Sequence, residues 1–556
     1  MAQITGGELL VRTLAAAGVE SAFGLHGAHL ETIFQACAAH RIPIVDTRHE
    51  AAAGHAAEGY ARAARRLGVA LVTAGPGFTN AITSLANAYL DRTPVLYVSG
   101  SAALRDAETN TLQAGIDQVA VARPITKWAH AITVTREIPR LAAHAIRVAT
   151  SAPSGPVLLD MPMDVLTATV EEESVRIPRT IEVETRPAPG EAAIETALDL
   201  LEAAERPIIL AGAGAWQCDC GAELAELAEL AGIPVFSDFQ AHGLLPSSHP
   251  LYGGTFHKLA DLASPGTRPD VVLALGVRFG LFTLGASDRL VPASARVIHV
   301  EIDPREIGKL RDAAVAIAAD SRETLRALTA KARGRPLTER SAWLEVVRTA
   351  RAARRERLRE TLGGAAPRIH PYQAVTAIVE HMPAETIVIG DGAEAYHWMN
   401  EVIRQDRPGS YITHGFLGAV GFGLGLAIGA QTAHPARPVL CLAGDGAVGF
   451  TIAEFDTLAR HQLPIVVVVM NNRSWAASQH FQEMIGNPIA GTRLAGARYD
   501  EVARAFGCDG RHVTRIEELG PAIREAFARG RPACLNVEID VAPMPPELAL
   551  LASRHS

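Results

Sequence analysis

Two short loops near the carboxyl end of the chain combine residues that could hold a metal and a phosphate. "GDGAVGF" places Gly444, Asp445 and Gly446 after an apolar run, and "MNNRSW" places Asn471 and Asn472 after the next. The 24 residues between Gly446 and Asn471 suffice for one helix and one strand. Parallel strands would set Asp445 beside Asn472 at one sheet edge, where carboxylate and amide oxygens suit Mg²⁺ or Ca²⁺. Because the glycines let main-chain N–H groups approach a phosphate, the pair predicts a metal-bound diphosphate site.

A third candidate residue is Glu50, which opens the Ala- and Gly-rich stretch "EAAAGHAAEGYARA". The simpler interpretation is structural, because an acid in the first turn suits the positive end of a helix dipole. The alanines that follow are strong helix formers. Only chemistry elsewhere in the chain would give this carboxylate a catalytic role.

The segments around these residues follow an α/β pattern. Short β-rich runs such as "VALVTAGPG", "TPVLYVSG" and "GPVLLDMP" alternate with helical patterns, which predicts parallel sheets with helices on both faces. At 556 residues the chain is too long for one core. We therefore expect three open parallel-sheet α/β domains over residues 1–180, 190–340 and 365–556, with a polar linker over roughly 170–193.

Composition excludes several classes of function. A formal net charge of −8 and a pI near 6.2 argue against a nucleic acid or an anionic membrane as partner. Six cysteines in so long a chain form no disulfide framework. The N-terminus lacks a signal-peptide pattern, and the apolar run "LPIVVVVM" is too short to span a bilayer. The expectation is a cytoplasmic protein.

The order GDG, about 25 residues, then NN resembles the signature of thiamine-diphosphate (ThDP) enzymes. The resemblance extends over the whole chain and implies pyrimidine-binding, central and diphosphate-binding domains in that order. It implies Mg²⁺ ligands at Asp445, Asn472 and the main-chain oxygen of Ser474. It also implies cofactor contacts from the second GDG, at Gly392 and Ala393. Further implied cofactor contacts are Gly418, Val420, Gly444, Gly446, Ala447 and Trp475.

The same resemblance gives Glu50 a role. In this family an acid of the first domain hydrogen-bonds N1′ of the aminopyrimidine, and the resulting proton exchange produces the C2 ylid nucleophile. Glu50 matches that position and is expected to be catalytic. Because family members draw this acid and the metal site from different subunits, the resemblance implies a homodimer at least, usually paired into a homotetramer.

Within the family, stretches such as "FGLHGAHLETIFQAC" and "ETNTLQAGIDQVAVARPITKWAH" look like benzaldehyde lyase. This likeness implies cleavage and formation of benzoin-type 2-hydroxy ketones from aldehydes. It implies that His29 handles the proton of the substrate hydroxyl and that Gln113 hydrogen-bonds the substrate. The other implied pocket residues are Leu25, Ala28, Met163, Tyr396, Gly418, Ala477 and Phe481.

Three positions depart from the lyase pattern. Met163 replaces a Trp and Val420 replaces a Met, and both changes should reshape the pocket. Val420 also falls where the family keeps a bulky aliphatic side chain that bends the cofactor. Pro76 in "TAGPGFTNA" replaces a Gly and favours the acetolactate synthases, where Pro is common there.

Other activities stay open. Acetolactate synthases bind FAD in the central domain, and "GVRFG" at 276–280 is faintly similar to their flavin loop. A 2-hydroxyacyl-CoA lyase would share the cleavage step but needs a basic groove, which the sequence does not indicate. Pyruvate decarboxylases carry an adjacent His pair, which this chain lacks. An inactive homologue would be expected to lose Glu50 or the metal ligands, which are all present.

Overall fold

The computed structural model describes residues 2–552 except 107, 184, 265, 286, 336–337 and 361–367. Its strands form three six-stranded sheets in which every neighbouring pair is parallel. The prediction of three parallel-sheet α/β domains is therefore confirmed. The final residues 553–556, part of the stretch considered above as the carboxyl end of the third domain, lie outside the described residues.

The first sheet is built from apolar runs that each precede a helix. Its strand order is β3-β2-β4-β5-β7-β6. The strands are β2 (Ala22–Gly24), β3 (Ile44–Asp46), β4 (Gly68–Val72), β5 (Val95–Ser101), β6 (Trp128–Ala131) and β7 (Val157–Pro162). The helices are α1 (Gly6–Ala16), α2 (Glu31–Ala39), α3 (Glu50–Ala64), α4 (Pro76–Leu90), α5 (Gln118–Ala122), α6 (Ile138–Thr150) and α7 (Met163–Thr167). A small antiparallel pair joins β1 (Gln3–Thr5) to β8 (Thr169–Glu171), and β8 lies at the start of the predicted linker.

The central sheet has the order β11-β10-β9-β12-β13-β14. Its strands are β9 (Pro207–Ala211), β10 (Val235–Ser237), β11 (Tyr252–Thr255), β12 (Val271–Leu275), β13 (Arg296–Val300) and β14 (Val315–Ile317). The helices are α8 (Glu191–Ala203), α9 (Ala213–Gln217), α10 (Gly221–Ala231), α11 (Ser321–Ala332) and the long α12 (Ser341–Glu360) that follows. A buried core of its own holds this domain together.

The third sheet has the order β16-β15-β17-β18-β20-β19. Its strands are β15 (Ile387–Asp391), β16 (Tyr411–Thr413), β17 (Val439–Gly444), β18 (Ile465–Asn471), β19 (Asp509–Val513) and β20 (Ala533–Glu538). The helices are α13 (Pro371–His381), α14 (Ala393–Val402), α15 (Gly423–Ala433), α16 (Asp445–Phe450), α17 (Glu454–Arg460), α18 (Ala476–Met484), α19 (Tyr499–Ala505), α20 (Ile516–Arg529) and α21 (Pro546–Ala552).

The first and third domains share one hydrophobic core, because α3 and α15 pack against each other along their length. Glycines allow this close approach. A methyl group on Gly59 would overlap the backbone of Leu426, and one on Gly429 would overlap the backbone of Ala56. The helix that begins at Glu50 is thus fixed against the domain that carries Asp445.

No helix within the described residues is both long and apolar enough to cross a membrane.

Candidate functional site

The two polar loops of the third domain meet at one edge of its sheet. Strands β17 and β18 are parallel neighbours, with Gly444 paired to Met470 at their carboxyl ends. Asp445 begins α16 directly after β17, and Asn472 follows β18. The two residues therefore lie at adjacent strand ends, as the spacing in the sequence predicts. A ligand shared by both residues requires this arrangement.

Asp445 has the environment of a metal ligand. Its Oδ1 accepts a hydrogen bond from the main-chain N–H of Gly446 at 3.0 Å, whereas Oδ2 is buried with no hydrogen-bond partner. Burial raises the pKa of Asp445 to about 6, because nearby main-chain donors only partly offset the cost of desolvation. A buried carboxylate oxygen without a partner is costly, and a bound cation would remove that cost.

The residues that follow β18 contribute neutral oxygen atoms to this edge of the sheet. Oδ1 of Asn472 accepts the N–H of Ser474 at 3.0 Å, which holds the loop in a tight turn around Arg473, whose φ is 62°. Among the described residues no three His, Cys, Asp or Glu side chains cluster as a metal site. One carboxylate with amide and carbonyl oxygens is the hard-oxygen set that Mg²⁺ accepts, so these residues fit the metal that the sequence predicts.

Glycines line the surface where a diphosphate would lie. Gly392, the residue before α14, has φ 85° and sits against the next loop, since a methyl group on it would lie 3.3 Å from the nitrogen of Gly444. A methyl group on Gly446 would lie 2.5 Å from the indole ring of Trp475. Side chains are thereby excluded, and the helices that begin at Ala393 and Asp445 present their N–H groups there. A cavity of about 370 Å³ lies beside Asp445, Gly446 and Trp475.

Glu50 is the first residue of α3, so the expectation of an acid in the first turn of a helix is correct. Its side chain does not cap the helix, because Nδ1 of His49 accepts the N–H of Ala51 there. Only 7% of Glu50 is exposed, and Oε2 accepts a hydrogen bond from Nδ2 of Asn80 on α4 at 2.9 Å. The sequence analysis missed Asn80, because nothing in the pattern "GFTNAI" distinguishes it from an ordinary helix residue.

The loop after β4, residues 73–77, brings the predicted catalytic residues of the first domain together. Nδ1 of His29 lies 3.1 Å from the hydroxyl of Thr73. A methyl group on Gly75 would lie 3.2 Å from Cα of Gln113, and one on Gly77 would lie 3.4 Å from Oε1 of Glu50. The three residues come from distant parts of the sequence, yet all border this one loop at the carboxyl edge of the sheet.

The local backbone conformation explains Pro76 and distinguishes Gln113. Pro76 occupies the first turn of α4 after Gly75, where its fixed φ and missing N–H cost nothing. Pro76 therefore has a structural reason to be there and carries little weight for an acetolactate synthase. Gln113 has φ 60°, an uncommon conformation outside glycine that often marks functional loops.

The remaining predicted pocket residues divide into two groups. Ala28 begins the 3₁₀ turn that contains His29, and Leu25 precedes this turn. The helix that begins at Met163 contacts the same turn. Phe481, Ala477, Gly418 and Val420 belong to the third domain, on α18 and on the loop before α15. Phe481 is 42% exposed. Tyr396 differs from both groups, because only 1% of it is exposed.

Tyr396 ends a buried polar chain that the sequence did not reveal. Its hydroxyl lies 2.6 Å from Nε2 of His397. Nδ1 of His397 lies 2.8 Å from a carboxylate oxygen of Glu547, on the carboxyl-terminal helix α21, and Nδ2 of Asn400 donates to the same carboxylate at 2.9 Å. Burial alone would raise the pKa of Glu547, but the charges of His257 and His397 bring it well below its usual value. Helix α21 is thus anchored behind the predicted pocket.

Replacing Glu547 with Gln should destabilise the protein by about 3 kcal/mol, the usual cost of removing one partner from a buried ion pair. The amide keeps the size of the side chain but removes the charge that faces His257 and His397. Urea denaturation of the variant measures the loss, and Glu517→Gln, at an exposed position, is the control. An unchanged transition midpoint for Glu547→Gln would refute the anchoring role.

Asp391, in the other GDG, also has a role that its motif did not predict. Its Oδ1 and Oδ2 accept hydrogen bonds from the N–H groups of Gly421 and Gly423, at 3.1 and 2.8 Å. Burial raises the pKa of Asp391 to about 6. This carboxylate fixes the loop that carries the predicted contacts Gly418 and Val420.

Three family models match the chain in the order of its domains. They describe thiamine pyrophosphate enzymes: the N-terminal TPP-binding domain matches residues 4–121, the central domain residues 194–328, and the C-terminal TPP-binding domain residues 391–537. Thiamine pyrophosphate is another name for thiamine diphosphate. The last match contains the whole Asp445–Asn472 edge described above.

Characterised relatives are similar over nearly the full length. An acetolactate synthase large subunit of Mycobacterium tuberculosis is 33% identical over 535 residues, covering 96% of this chain and 95% of the relative. Isozyme 1 of Escherichia coli is 30% identical over 543 residues, covering 97% and 94%. A probable large subunit of Methanocaldococcus jannaschii is 30% identical, covering 97% and 92%. All three names match the alternative activity considered above, and none is benzaldehyde lyase.

Proposed function

Since the chain belongs to the thiamine-diphosphate enzymes, we propose that it forms and cleaves carbon–carbon bonds in 2-hydroxy ketones, with aldehydes as the joined units. ThDP is its cofactor, and Mg²⁺ is the usual partner metal of the family. The observation that carries the proposal is the grouping of Glu50, His29 and Gln113 around residues 73–77. An acid for the cofactor and a base for a hydroxyl group are the two proton-handling groups that this chemistry needs.

Each residue has a separate task in this proposal. Asp445, Asn472 and the main-chain oxygen of Ser474 would hold Mg²⁺, and the glycine-lined surface would hold the diphosphate. When bound, the cofactor supplies the carbon nucleophile. Glu50 would hold a proton at the pyrimidine ring, oriented by Asn80. His29 would take the proton of the substrate hydroxyl, and Gln113 would orient the substrate by a hydrogen bond.

His29 is suited to accept a proton near neutral pH. Burial lowers its pKa below the ordinary value, so the imidazole is neutral in neutral solution. His29→Ala should reduce cleavage of a 2-hydroxy ketone by roughly 10²–10⁴, the usual contribution of one positioned base. Gln113→Ala should cost less, since one hydrogen bond contributes about 1 kcal/mol. Bound ThDP, measured after gel filtration, should be unchanged in both variants, and loss of the cofactor would contradict this assignment.

The second candidate is an acetolactate synthase, in which a 2-keto acid is the donor. The names of the relatives favour it. Both candidates join a cofactor-bound unit to a second carbonyl group, so the difference lies in the donor. The relatives' names describe large subunits, and co-purification with a smaller subunit would support this candidate.

The central domain is where the synthase candidate would bind a flavin. The crevice between β9 and β12 is where the strand order reverses, the usual nucleotide position in such sheets. Here the loops touch, with Gly214 donating its N–H to the carbonyl of Gly276 at 3.0 Å. Arg278 of "GVRFG" donates to the carbonyl of Leu90 at 2.7 Å and stacks 4.2 Å from the ring of Phe416. These contacts support a flavin-free enzyme.

One comparison separates the candidates. The purified protein, loaded with ThDP and Mg²⁺, is given benzoin or pyruvate, and benzaldehyde and acetolactate are measured. Release of benzaldehyde without added flavin is the expected result. Preferred turnover of pyruvate to acetolactate, with FAD bound, would establish the synthase instead.

Met163→Trp should narrow the range of accepted aldehydes if Met163 widens the pocket.

We also propose a homodimer as the minimum active unit, paired into a homotetramer. Exposed apolar side chains surround the candidate residues in both outer domains, and such patches typically mark interfaces. Leu112 is 84% exposed beside Gln113, and Phe450, the last residue of the Asp445 helix, is 66% exposed. The proposal places these surfaces against a second subunit.

A further inference from the structure

A large cavity separates the central domain from the third domain, away from the Asp445 edge. Its volume is about 940 Å³, within the range of small-molecule sites. It is bounded by the edge strand β11, by α12 and by α13 with the end of α14. None of the residues assigned above to the cofactor or the substrate lines it.

One face of α12 gives the cavity a basic wall. Arg351, Arg354, Arg355 and Arg359 follow helical spacing and all line it. Lys258 and Arg404 line the opposite side, so six cationic side chains face four acidic ones. From the sequence, α12 could be recognised only as a charged helix, because the other residues that line the cavity lie far from it in the chain.

The acids pair with only some of these cations. Asp261 and Glu401 are both bound by Arg354, at 3.1 and 2.7 Å. Asp406 accepts hydrogen bonds from the N–H and hydroxyl of Ser248. Lys258 and Arg351 donate to the main-chain carbonyls of Asn400 and Tyr252. Among the ion pairs of the described residues, none contains Lys258, Arg351, Arg355 or Arg404.

His242 forms part of the inner wall of the cavity. Only 2% of this residue is exposed, and neither ring nitrogen has a hydrogen-bond partner. Burial lowers the pKa of His242 to about 3, so the ring is neutral. Both nitrogens are shielded from solvent, so this ring closes the wall without adding a charge to it.

Apolar and aromatic surface completes the lining. Phe236, Tyr252 and Tyr372 border the cavity, and the guanidinium of Arg351 lies 5.7 Å from the ring of Tyr252. An inorganic anion alone would leave this surface empty. We propose that the cavity between α12 and β11 binds a phosphorylated organic molecule of nucleotide size, with its phosphates on the arginine face of α12 and its ring system on the aromatic side.

The test is calorimetric titration of the holoenzyme with ADP. ThDP and Mg²⁺ are kept saturating, so the diphosphate site is filled and cannot take the probe. ADP should bind at one site per chain, and inorganic pyrophosphate should bind more weakly because it lacks the organic part. Absence of ADP binding, or tighter binding of pyrophosphate than of ADP, would overturn the proposal.

Charge reversals on the wall locate the site. Arg355→Glu and Arg404→Glu are exposed changes that should each weaken ADP binding about tenfold, the effect of losing one charge-assisted contact. Arg348→Glu lies on the same helix outside the cavity and should leave the affinity unchanged. Equal weakening by Arg348→Glu would mean that ADP binds the surface of the protein nonspecifically. The assay records binding and not turnover, so its outcome is independent of the proposed reaction.

Discussion

Replacing Asp445 with Ala is expected to abolish retention of thiamine diphosphate. The substitution removes the one carboxylate at the joint end of β17 and β18, and with it the buried Oδ2 that lacks a partner. Without Mg²⁺ the negative charge of the diphosphate itself would be uncompensated in a largely desolvated site. Changes that only support a metal ligand cost 10–100-fold in affinity, so loss of the ligand itself should exceed about 100-fold.

Bound ThDP is measured after gel filtration in excess Mg²⁺, for the wild type and the variant. Asp509→Ala is the matched control, because Asp509 lies in the same sheet on the edge strand β19. Full retention of ThDP by Asp445→Ala in the presence of a chelator would show that the metal ligands have been assigned wrongly.

Glu50→Gln should leave the cofactor bound and remove nearly all activity. The amide keeps the size of Glu50 and can still hydrogen-bond to Asn80, but it cannot exchange a proton with the pyrimidine. A positioned acid or base contributes 10²–10⁴-fold, and turnover should fall by at least that much. ThDP content should be unchanged, because Asp445 and Asn472 are intact.

Exchange of the thiazolium C2 proton, followed by NMR, separates this role from substrate binding. Glu50→Gln should slow the exchange, whereas His29→Ala should not, since His29 acts on the substrate. The control is Glu31→Gln, an exposed acid of the same domain. Exchange at the wild-type rate in Glu50→Gln would refute the role of this carboxylate.

The parts of the site that were predictable depend on local signals. Glycines flank Asp445 and fix where backbone can approach a ligand. Asp445 and Asn472 each follow an apolar strand, and parallel pairing of these strands brings the two loops together. The fold was predictable for a similar reason, since the alternation of strand and helix leaves few ways to pair the strands.

The missed features depend on contacts between distant segments. Asn80 supports Glu50, and Asp391 holds the backbone of Gly421 and Gly423, yet each looks like an ordinary residue in its own stretch. Tyr396 is buried beside His397, whose ring lies against Glu547 of α21. A short carboxyl-terminal helix gives no sign in the sequence of the surface on which it packs.

The shared core of the first and third domains has a consequence for how the protein can be divided. Helices α3 and α15 meet through glycines that leave no room for a side chain, so each helix buries its contact face only when the other is present. A fragment that ends after the first domain would expose the apolar half of an unfinished interior and should aggregate. The central domain has a core of its own, but the ion pair of His257 with Glu547 joins it to the third domain. The first and third domains therefore form one folding unit, which is complete only when the last third of the chain has been synthesised.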